Sequence, residues 1–448
     1  MLLTVLSYAM IIVFMFVIMK KKMSPFTALV LVPLVFTMIA KFSGIAAKGT
    51  LGEYVLSGVS TTANTGIMLL FAILYFSIML DTGLFDPITN KMIRFAKGDP
   101  MRVLMATAIV AAAVSLNGDG TTTTLICCSA FIPIYKKLGM KLMNLGVLVI
   151  LQNTIMNLLP WGGPTARAMA VLKVDADILS YLLPGMVLSL LYVIFFVARR
   201  MGKQERERLG ITQLTEAEIL EMTTITDQET LEIRRPNNWL FNAVLTIVLI
   251  AWLVSGSFIE KISLPPLLLF LVGTCIALII NYPVLKDQSK RIGANGGDAV
   301  QVVILVFAAG IFMGLFQGSG MAEALAESFT QIIPKQLGAF WGIIIALISA
   351  PGTFFLSNDG FYFGVLPVLA EAGRQYGFSD MQMALASLMG QAFHLLSPLV
   401  AFIYLLLRLT GLDMGQWQRT SAKYALGIFL IFVVTITALG FIPIYVPQ

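Results

Sequence analysis

The feature that most constrains this chain is a series of apolar stretches, each about 20 residues long and nearly free of charge. A helix of that length crosses a hydrocarbon core of about 30 Å. In the whole chain of 448 residues, 58% are hydrophobic, only 12% are charged, and the mean hydropathy is +0.87. Soluble domains carry about twice that share of charge. A soluble fold is therefore excluded, and the sequence predicts an all-α polytopic membrane protein.

We predict ten membrane-crossing helices from the ends of the apolar stretches. They lie at 2–19, 25–42, 65–82, 145–160 with an apolar continuation to 172, 178–198, 239–258, 264–282, 298–316, 381–407 and 422–445. Two longer stretches, 103–135 and 338–370, are interrupted by LNGDGTTTT and LSNDG. Irregular backbone at membrane depth is tolerated only where it contacts protein or lines a cavity. Each longer stretch is therefore predicted to be a functional re-entrant hairpin.

The basic residues predict how the chain is oriented. If Lys20–Lys22 are cytoplasmic and the chain changes side at each crossing, 23 of the 30 Lys and Arg residues lie inside. Such an excess is typical of cytoplasmic loops. Both termini are then outside, hairpin 103–135 enters from the cytoplasm and hairpin 338–370 enters from outside. The N-terminus lacks the features of a signal peptide and is expected to remain as a first helix. Nucleic acid is not an expected partner.

Segment 199–236 is the one long polar stretch, with 15 of the 54 charged residues. It is too short to bury much core, so we predict a cytoplasmic connector rather than a regulatory domain. The cysteines are Cys127, Cys128 and Cys275; without a CxxC motif or a Cys/His cluster they are predicted to be buried free thiols.

The two halves of the chain carry related motifs at a nearly constant offset. Thr82-Gly83 corresponds to Ser319-Gly320, Asn117–Gly120 to Ser357–Gly360, and NLLP from Asn157 to HLLSP from His394, at offsets of 237 to 240. Each half, 1–198 or 237–448, has five predicted crossings and one hairpin. An odd number of crossings turns the second copy upside down, and inverted repeats are a recurrent plan of secondary transporters.

Oxygen-bearing residues cluster at both interruptions. The candidates are Asn117, Gly118, Asp119, Gly120, Thr121 and Thr122 in the first, and Ser357, Asn358, Asp359 and Tyr362 in the second. Oxygen ligands suit hard cations, and carboxylates at membrane depth are expensive. Asp119 and Asp359 are therefore predicted to hold a divalent cation of the substrate or to share a proton. Helix capping remains an alternative for the first cluster, and packing for the aromatic residues of the second.

Two further breaks carry candidate residues. The first holds Asn157, Gly162, Gly163, Thr165 and Arg167, and the second holds Gln391, His394 and Ser397. An Arg is suited to binding a carboxylate with two hydrogen bonds, although Arg167 could instead snorkel to the external interface. The only histidine, His394, titrates near neutral pH and is a candidate for proton coupling together with Asp119 and Asp359, or else a satisfied core residue.

Enzyme motifs are absent from the sequence. It has no phosphate-binding glycine loop, no GxSxG elbow and no HExxH pair. We therefore expect no enzyme and no covalent cofactor, and an ion gradient as the energy source.

Four stretches in order, SLNGDGTTTT, NLLPWGGPTAR, FLSNDGFYFGVLP and HLLSPLV, resemble the citrate:divalent-metal:proton symporters, the CitMHS family of the ion transporter superfamily. The stretch 66–87 also fits. The resemblance implies a bacterial cytoplasmic membrane protein that takes up citrate with a divalent cation such as Mg²⁺ or Ca²⁺. Uptake would be driven by protons, through an elevator movement against a scaffold that forms a homodimer. The resemblance also predicts Asp where this chain has Asn117, which bears on metal preference and proton number.

The charge of citrate also favours transport together with a divalent cation. Ionised citrate carries three negative charges, whereas its complex with a divalent cation carries one, so the cation reduces the cost of leaving water. Two alternatives stay open: a sodium-coupled symporter of an uncomplexed di- or tricarboxylate or sugar acid, and an anion channel.

Overall fold

The computed structural model describes residues 2–211, 214–215, 218, 228–256, 264–332 and 335–447. Over these residues the chain is helical and contains no β-strand. The helices are α1 Leu2–Met19, α2 Pro25–Phe42, α3 Leu51–Asp81, α4 Asp86–Ala96, α5 Pro100–Val114, α6 Gly120–Lys137, α7 Leu142–Met156, α8 Gly163–Leu172, α9 Ile178–Leu191, α10 Arg199–Leu209, α11 Gln228–Ile233, α12 Trp239–Gly256, α13 Pro266–Asn281, α14 Leu285–Gly318, α15 Met321–Ile332, α16 Lys335–Gly338, α17 Trp341–Phe355, α18 Leu366–Gln375, α19 Asp380–Met389, α20 Gln391–His394, α21 Ala401–Thr410 and α22 Met414–Ala438. Short 3₁₀ turns lie at Ser115–Asn117 and Pro236–Asn238, and π-helical turns at Tyr192–Ala198 and Gly360–Val365.

Seven helical segments among the described residues are long and apolar enough to cross a membrane. They are Pro25–Phe42, Leu51–Asp81, Pro100–Asn117, Ile178–Leu209, Pro236–Ser255, Ala299–Gly318 and Met414–Ala438. Five shorter apolar helices accompany them: Leu2–Ile18, Leu142–Met156, Pro266–Asn281, Trp341–Phe355 and Ala401–Thr410. The prediction of an all-α polytopic membrane protein is confirmed, whereas the count of ten crossings stays a prediction.

Two predicted spans are parts of longer helices. The span 65–82 belongs to α3, which begins at Leu51 because Thr50 and Glu53 form a capping box there. The span 298–316 belongs to α14, which begins at Leu285. Because α3 starts among polar residues that hydropathy alone excludes from a span, the predicted start at 65 was wrong. The predicted start at 298 agrees with the apolar segment Ala299–Gly318 of α14, although the helix itself begins earlier.

Other predicted bounds were wrong because helices break or continue. The span 381–407 is not one helix: α19 ends at Met389, α20 ends at His394, and α21 begins only at Ala401. The span 178–198 instead runs on through α10 to Leu209, so the predicted connector begins inside a helix. Much of the rest of that connector, including 219–227, and the predicted end of span 239–258 lie outside the described residues.

The helices of the two halves follow the same order at similar spacing. Leu2–Met19 and Trp239–Gly256 both have 18 residues and are 237 positions apart. The long helices α3 and α14 end at Asp81 and Gly318, again 237 positions apart. The motif offset thus extends to whole helices, while the inversion of the second copy stays a prediction.

Helices α3 and α14 cross with their backbones in direct approach. A Cβ atom at Gly58 would lie 2.0 Å from the carbonyl oxygen of Gly310, and one at Gly314 would lie 2.2 Å from the carbonyl oxygen of Tyr54. Only glycine permits this distance, as at other membrane helix crossings of small residues. The crossing joins a helix of the first half to a helix of the second half.

Helix α10 is anchored to both outer ends of the hairpin formed by α5 and α6. Arg206 Nε donates to Asp99 Oδ1 over 3.1 Å, next to the start of α5. Arg208 Nη2 donates to the carbonyl oxygen of Gly139 over 2.8 Å, just after α6. Farther along, a hydrogen bond from Lys137 lowers the pKa of Glu218 to about 2.

The end of the connecting segment is anchored instead to α3 and α13. Arg234 Nη1 donates to the carbonyl oxygen of Leu80 over 2.6 Å, and the backbone N–H of Arg235 donates to Thr82 over 3.0 Å. Arg235 Nε also donates to the carbonyl oxygen of Asn281 over 2.7 Å. The two described ends of the segment therefore hold different parts of the bundle.

All three cysteines are free. Cys127 and Cys128 are buried as predicted, whereas Cys275 is exposed on α13, so the prediction of burial was wrong for this one. In a chain of this kind an apolar stretch predicts contact with lipid as readily as with protein.

Candidate functional site

The break between α7 and α8 holds the tip of the first hairpin. Trp161 Nε1 donates to the carbonyl oxygen of Leu116 over 2.7 Å. Gly118 has a φ of +77°, and a Cβ there would lie 3.1 Å from the Trp161 ring. The backbone N–H of Gly163 donates to Asn157 Oδ1 over 3.2 Å, which closes the break on itself.

Thr165 further stabilises the same break, since its hydroxyl donates to the carbonyl oxygen of Leu158 over 2.9 Å. A Cβ at Gly162 would lie 2.0 Å from the carbonyl oxygen of Asn157, so the chain can fold back this tightly only with glycine there. The candidates Asn157, Gly162, Gly163 and Thr165 are thus brought together as a structural unit that receives the hairpin tip.

Asp119 is the N-cap residue of α6. Its carboxylate accepts the backbone N–H of Thr121 over 3.2 Å and that of Thr122 over 2.6 Å. Asn117 Oδ1 in turn accepts the N–H of Asp119 over 2.8 Å. The alternative of helix capping is therefore correct for this cluster. Capping still leaves a carboxylate at the tip, next to the N-terminus of a helix.

Gly120, the first residue of α6, packs against a ring from the second half. A Cβ atom there would lie 2.2 Å from Cζ of Phe402. Phe402 belongs to α21, the helix that follows the break in the second half. Phe402 could not be singled out from the sequence, because one aromatic residue in an apolar stretch carries no signal of its partner.

The tip of the second hairpin is tied to the break between α19 and α21. Gln391 Nε2 donates to Asn358 Oδ1 and to the Tyr362 hydroxyl, each over 3.0 Å. The Tyr362 hydroxyl donates to the carbonyl oxygen of Ser387 over 3.3 Å. Ser357 Oγ accepts the N–H of Gly360 over 3.1 Å. Three of the candidates, Asn358, Tyr362 and Gln391, therefore form one network.

His394 is buried beside this network. Its Nδ1 lies 2.7 Å from the carbonyl oxygen of Thr353 in α17. A carbonyl oxygen can only accept, so Nδ1 carries the proton, and Nε2 is the nitrogen left to gain one. Ser397 is also buried, and its hydroxyl accepts the N–H of Leu399 over 3.2 Å.

Arg167 and Asp359 join the two halves of the chain. Arg167 Nε lies 2.7 Å from Asp359 Oδ1, and Arg167 Nη1 donates to the carbonyl oxygen of Gly163 over 2.9 Å. The Phe363 ring lies 5.9 Å from the guanidinium. The Arg167 and Asp359 side chains are 18% and 17% exposed. Arg167 thus has an acidic partner within the protein, which the snorkelling alternative does not predict.

A resident metal site is not evident in the described part of the chain, where no three His, Cys, Asp or Glu side chains come close enough to hold an ion. No hydrogen bond among the described residues joins Asp119 to Asp359. A cation at either carboxylate would need most of its oxygen ligands from the substrate.

A family model described as citrate transporter, CitMHS, matches residues 14–390 of the chain. A "Citrate transporter" of Bacillus subtilis is 44% identical over 98% of this chain and 99% of its own length. A "Mg(2+)/citrate complex secondary transporter" of the same organism is 40% identical, with 98% of each chain covered.

The crystal structure of the YdaH transporter of Alcanivorax borkumensis, a transporter with an unusual topology, superposes with a TM-score of 0.62. It is 14% identical and covers 94% of this chain and 99% of its own, so it supports the fold alone. The breadth of the family match and the identity to relatives along the full length lead to one conclusion: this chain belongs to the CitMHS family of citrate transporters.

Proposed function

We propose that this protein is a secondary transporter that takes up citrate complexed with a divalent cation and couples the uptake to protons. The observation that carries the proposal is the pair of Arg167 and Asp359, contributed by opposite halves where helices are broken. Substrate and ion sites of inverted-repeat transporters lie at such meeting points. The name of the Mg²⁺/citrate relative supports the complex as the substrate.

Arg167 and Asp359 are complementary to the two kinds of charged group in the complex, a free carboxylate and the bound cation. A free carboxylate of citrate suits the Arg167 guanidinium, and the bound cation suits the Asp359 carboxylate. Substrate binding then replaces one ion pair with two complementary contacts, so neither charge is left unpaired in a poorly solvated place. Bare citrate would bring three negative charges to a site with one arginine, and its carboxylates would be repelled by Asp359.

Asp119, Asp359 and His394 are the proposed proton-coupling groups. Asp359 exchanges Arg167 for the cation when substrate binds, so it can take up a proton when neither partner is present. His394 has Nε2 as its only basic nitrogen, because Nδ1 donates to Thr353. The proposed movement is of elevator type. The hairpins and broken helices would move against a scaffold of α1–α3 and α12–α14, which would form a homodimer by analogy with the family.

Uptake of labelled citrate into vesicles tests the proposal. We expect uptake to require a divalent metal and to rise with an inward proton gradient. The uptake rate should differ among Mg²⁺, Ca²⁺ and other divalent ions. Stimulation by sodium without metal would instead indicate the sodium-coupled alternative. Uptake that ignores an imposed pH gradient would indicate a channel.

Replacing Asp359 with Asn should abolish metal-dependent uptake, because the amide can neither ligate the cation strongly nor release a proton. The same loss is expected for Asp119→Asn. The matched control is Asp380→Asn, which removes an acid that pairs with Arg374 outside this site. Uptake at the wild-type rate by either site variant would remove that residue from the proposed mechanism.

A further inference from the structure

A cavity of about 440 Å³ lies between the α1–α2 loop and the tip of the second hairpin. Its polar lining consists of Lys21, Lys22 and Ser24 from the loop and of Ser357 and Asp359 from the tip. Asp359 is the acid that pairs with Arg167, so the cavity leads to the proposed site. The lysines of the loop belong to the basic run that predicts the orientation of the chain.

The two lysines bring positive charge that the described part of the chain does not neutralise. Both are exposed, and neither is within ion-pair distance of a carboxylate among the described residues. Ser24 is occupied, since its hydroxyl caps α2 by accepting the N–H of Thr27 over 3.2 Å. An anion in the cavity would therefore be attracted chiefly by Lys21 and Lys22.

The end of α1 holds these lysines in a fixed turn. The N–H of Lys21 donates to Ile18 over 3.0 Å and that of Lys22 to Val17 over 2.9 Å, which is the Schellman arrangement. Lys21 has a φ of +52°, at the position that usually holds glycine. Lys97 and Lys173, which follow α4 and α8, also have positive φ, and a lysine at a helix C-terminus interacts favourably with the helix dipole. Lys21 differs from them by its place in the lining of this cavity.

We propose that Lys21 and Lys22 form a basic vestibule, defined by these two residues, that attracts the anionic substrate to the Asp359–Arg167 pair from the face on which the loop lies. The charge distribution predicts that this face is cytoplasmic. The identity of the anion as metal–citrate rests on the proposed function, whereas the attraction of anions to the cavity does not. The vestibule acts on substrate leaving the site into the cytoplasm and on substrate entering from there.

The first experiment tests the vestibule without any transport. Ser357→Cys, in a background with the exposed Cys275 changed to Ser, places a thiol in the cavity. Its reaction rates with an anionic and a cationic thiol reagent are compared. Combining Lys21→Gly with Lys22→Gln should lower the anion-to-cation ratio of rates by about 3- to 10-fold at low salt, and much less at high salt.

Lys21→Gly is chosen because glycine suits the left-handed turn, so the charge is lost while the fold is kept. The matched control is Lys20→Gln, in the same basic run but outside the cavity lining. An unchanged ratio in the double variant would overturn the proposal. So would an equal decrease in Lys20→Gln, since the lysines would then act on the membrane surface as a whole.

The second experiment measures transport from each face. In inside-out vesicles at low salt, the double variant should raise the KM for Mg²⁺–citrate by about 3- to 10-fold, and in right-side-out vesicles the KM should be unchanged. Equal effects on both faces, or none, would contradict the vestibule. Should wild-type protein fail to carry metal–citrate, the proposed function fails, and the thiol experiment alone decides the vestibule.

Discussion

At the residue scale, the guanidinium of Arg167 forms two hydrogen bonds in different directions. Nε reaches Asp359, and Nη1 reaches the carbonyl oxygen of Gly163, which begins α8. A lysine has one nitrogen and cannot reproduce this fork. A lysine variant therefore tests whether this position needs only a positive charge or also the two hydrogen bonds of an arginine.

We expect Arg167→Lys to raise the KM for metal–citrate by roughly 10- to 100-fold, because a hydrogen bond to a charged group contributes about 1.5–3 kcal/mol. Vesicle uptake at several citrate concentrations measures this. Arg374→Lys, at an arginine that binds Asp380 away from the site, serves as the control. A KM equal to that of wild type in Arg167→Lys would show that the fork is dispensable.

Residue types supplied a list of candidate residues but did not predict which of them contact each other. Asp359 and Arg167 were both selected from the sequence, but their pairing joins positions 192 residues apart and leaves no local pattern. Phe402 and Thr353 were missed for the same reason, since each acts only through a contact with a distant segment. A single sequence holds no record of such contacts.

At the element scale, both helix breaks were predicted, the first at 157–167 and the second at 391–397, but the second was also placed inside a single predicted span, 381–407. Although Gly390 and Pro398 lie at this break, the segment from Gly390 to Val400 is apolar at most positions, so hydropathy predicts a continuous span. Its break depends on tertiary contacts, such as the hydrogen bond from the N–H of Gly390 to Ser349 Oγ over 2.8 Å.

The contact of Gly120 with Phe402 provides a test of how the first hairpin is seated. Gly120→Ala should destabilise the tip by about 1–3 kcal/mol, the usual cost of overpacking, and reduce uptake. Phe402→Leu should restore much of both in the double variant, because it removes the ring that the new methyl group meets. Thermal unfolding in detergent and vesicle uptake are the two measurements.

Gly296→Ala is the matched control, since a Cβ there meets nothing within 4 Å. It should leave stability unchanged or slightly raise it, because alanine favours the helix over glycine. Failure of Phe402→Leu to rescue Gly120→Ala would indicate that glycine is needed at this position for its backbone rather than for the ring.

At the scale of the whole molecule, the polar connecting segment acts at both of its described ends. Helix α10 binds the outer ends of the first hairpin through Asp99 and Gly139, and the later part binds α3 and α13 through Arg234 and Arg235. The sequence predicted a polar connector but not these anchors, because the partners are backbone carbonyls and two acids, Asp86 and Asp99, that are distant in the sequence.

Asp99→Asn should lower the free energy of unfolding by about 1–2 kcal/mol, since it removes the charge that Arg206 pairs with in a partly buried place. Asparagine retains the N-cap of α5. The control is Asp413→Asn at the N-cap of α22, where the carboxylate accepts one hydrogen bond among the described residues, from the N–H of Gln416. Thermal unfolding of both variants in detergent measures the difference. If the two variants have the same free energy of unfolding, the ion pair between Asp99 and Arg206 does not stabilise the fold.

The separation of Arg167 from Asp359 has a consequence for biosynthesis. At about 5–20 residues per second, a ribosome needs roughly 10–40 s to make the 192 residues between them. During that interval the first half is inserted with a guanidinium whose counter-ion has not yet been translated. We therefore expect the nascent arginine to be kept in contact with water or the insertion machinery, and helix α8 to reach its final position only after the segment with Asp359 has been made.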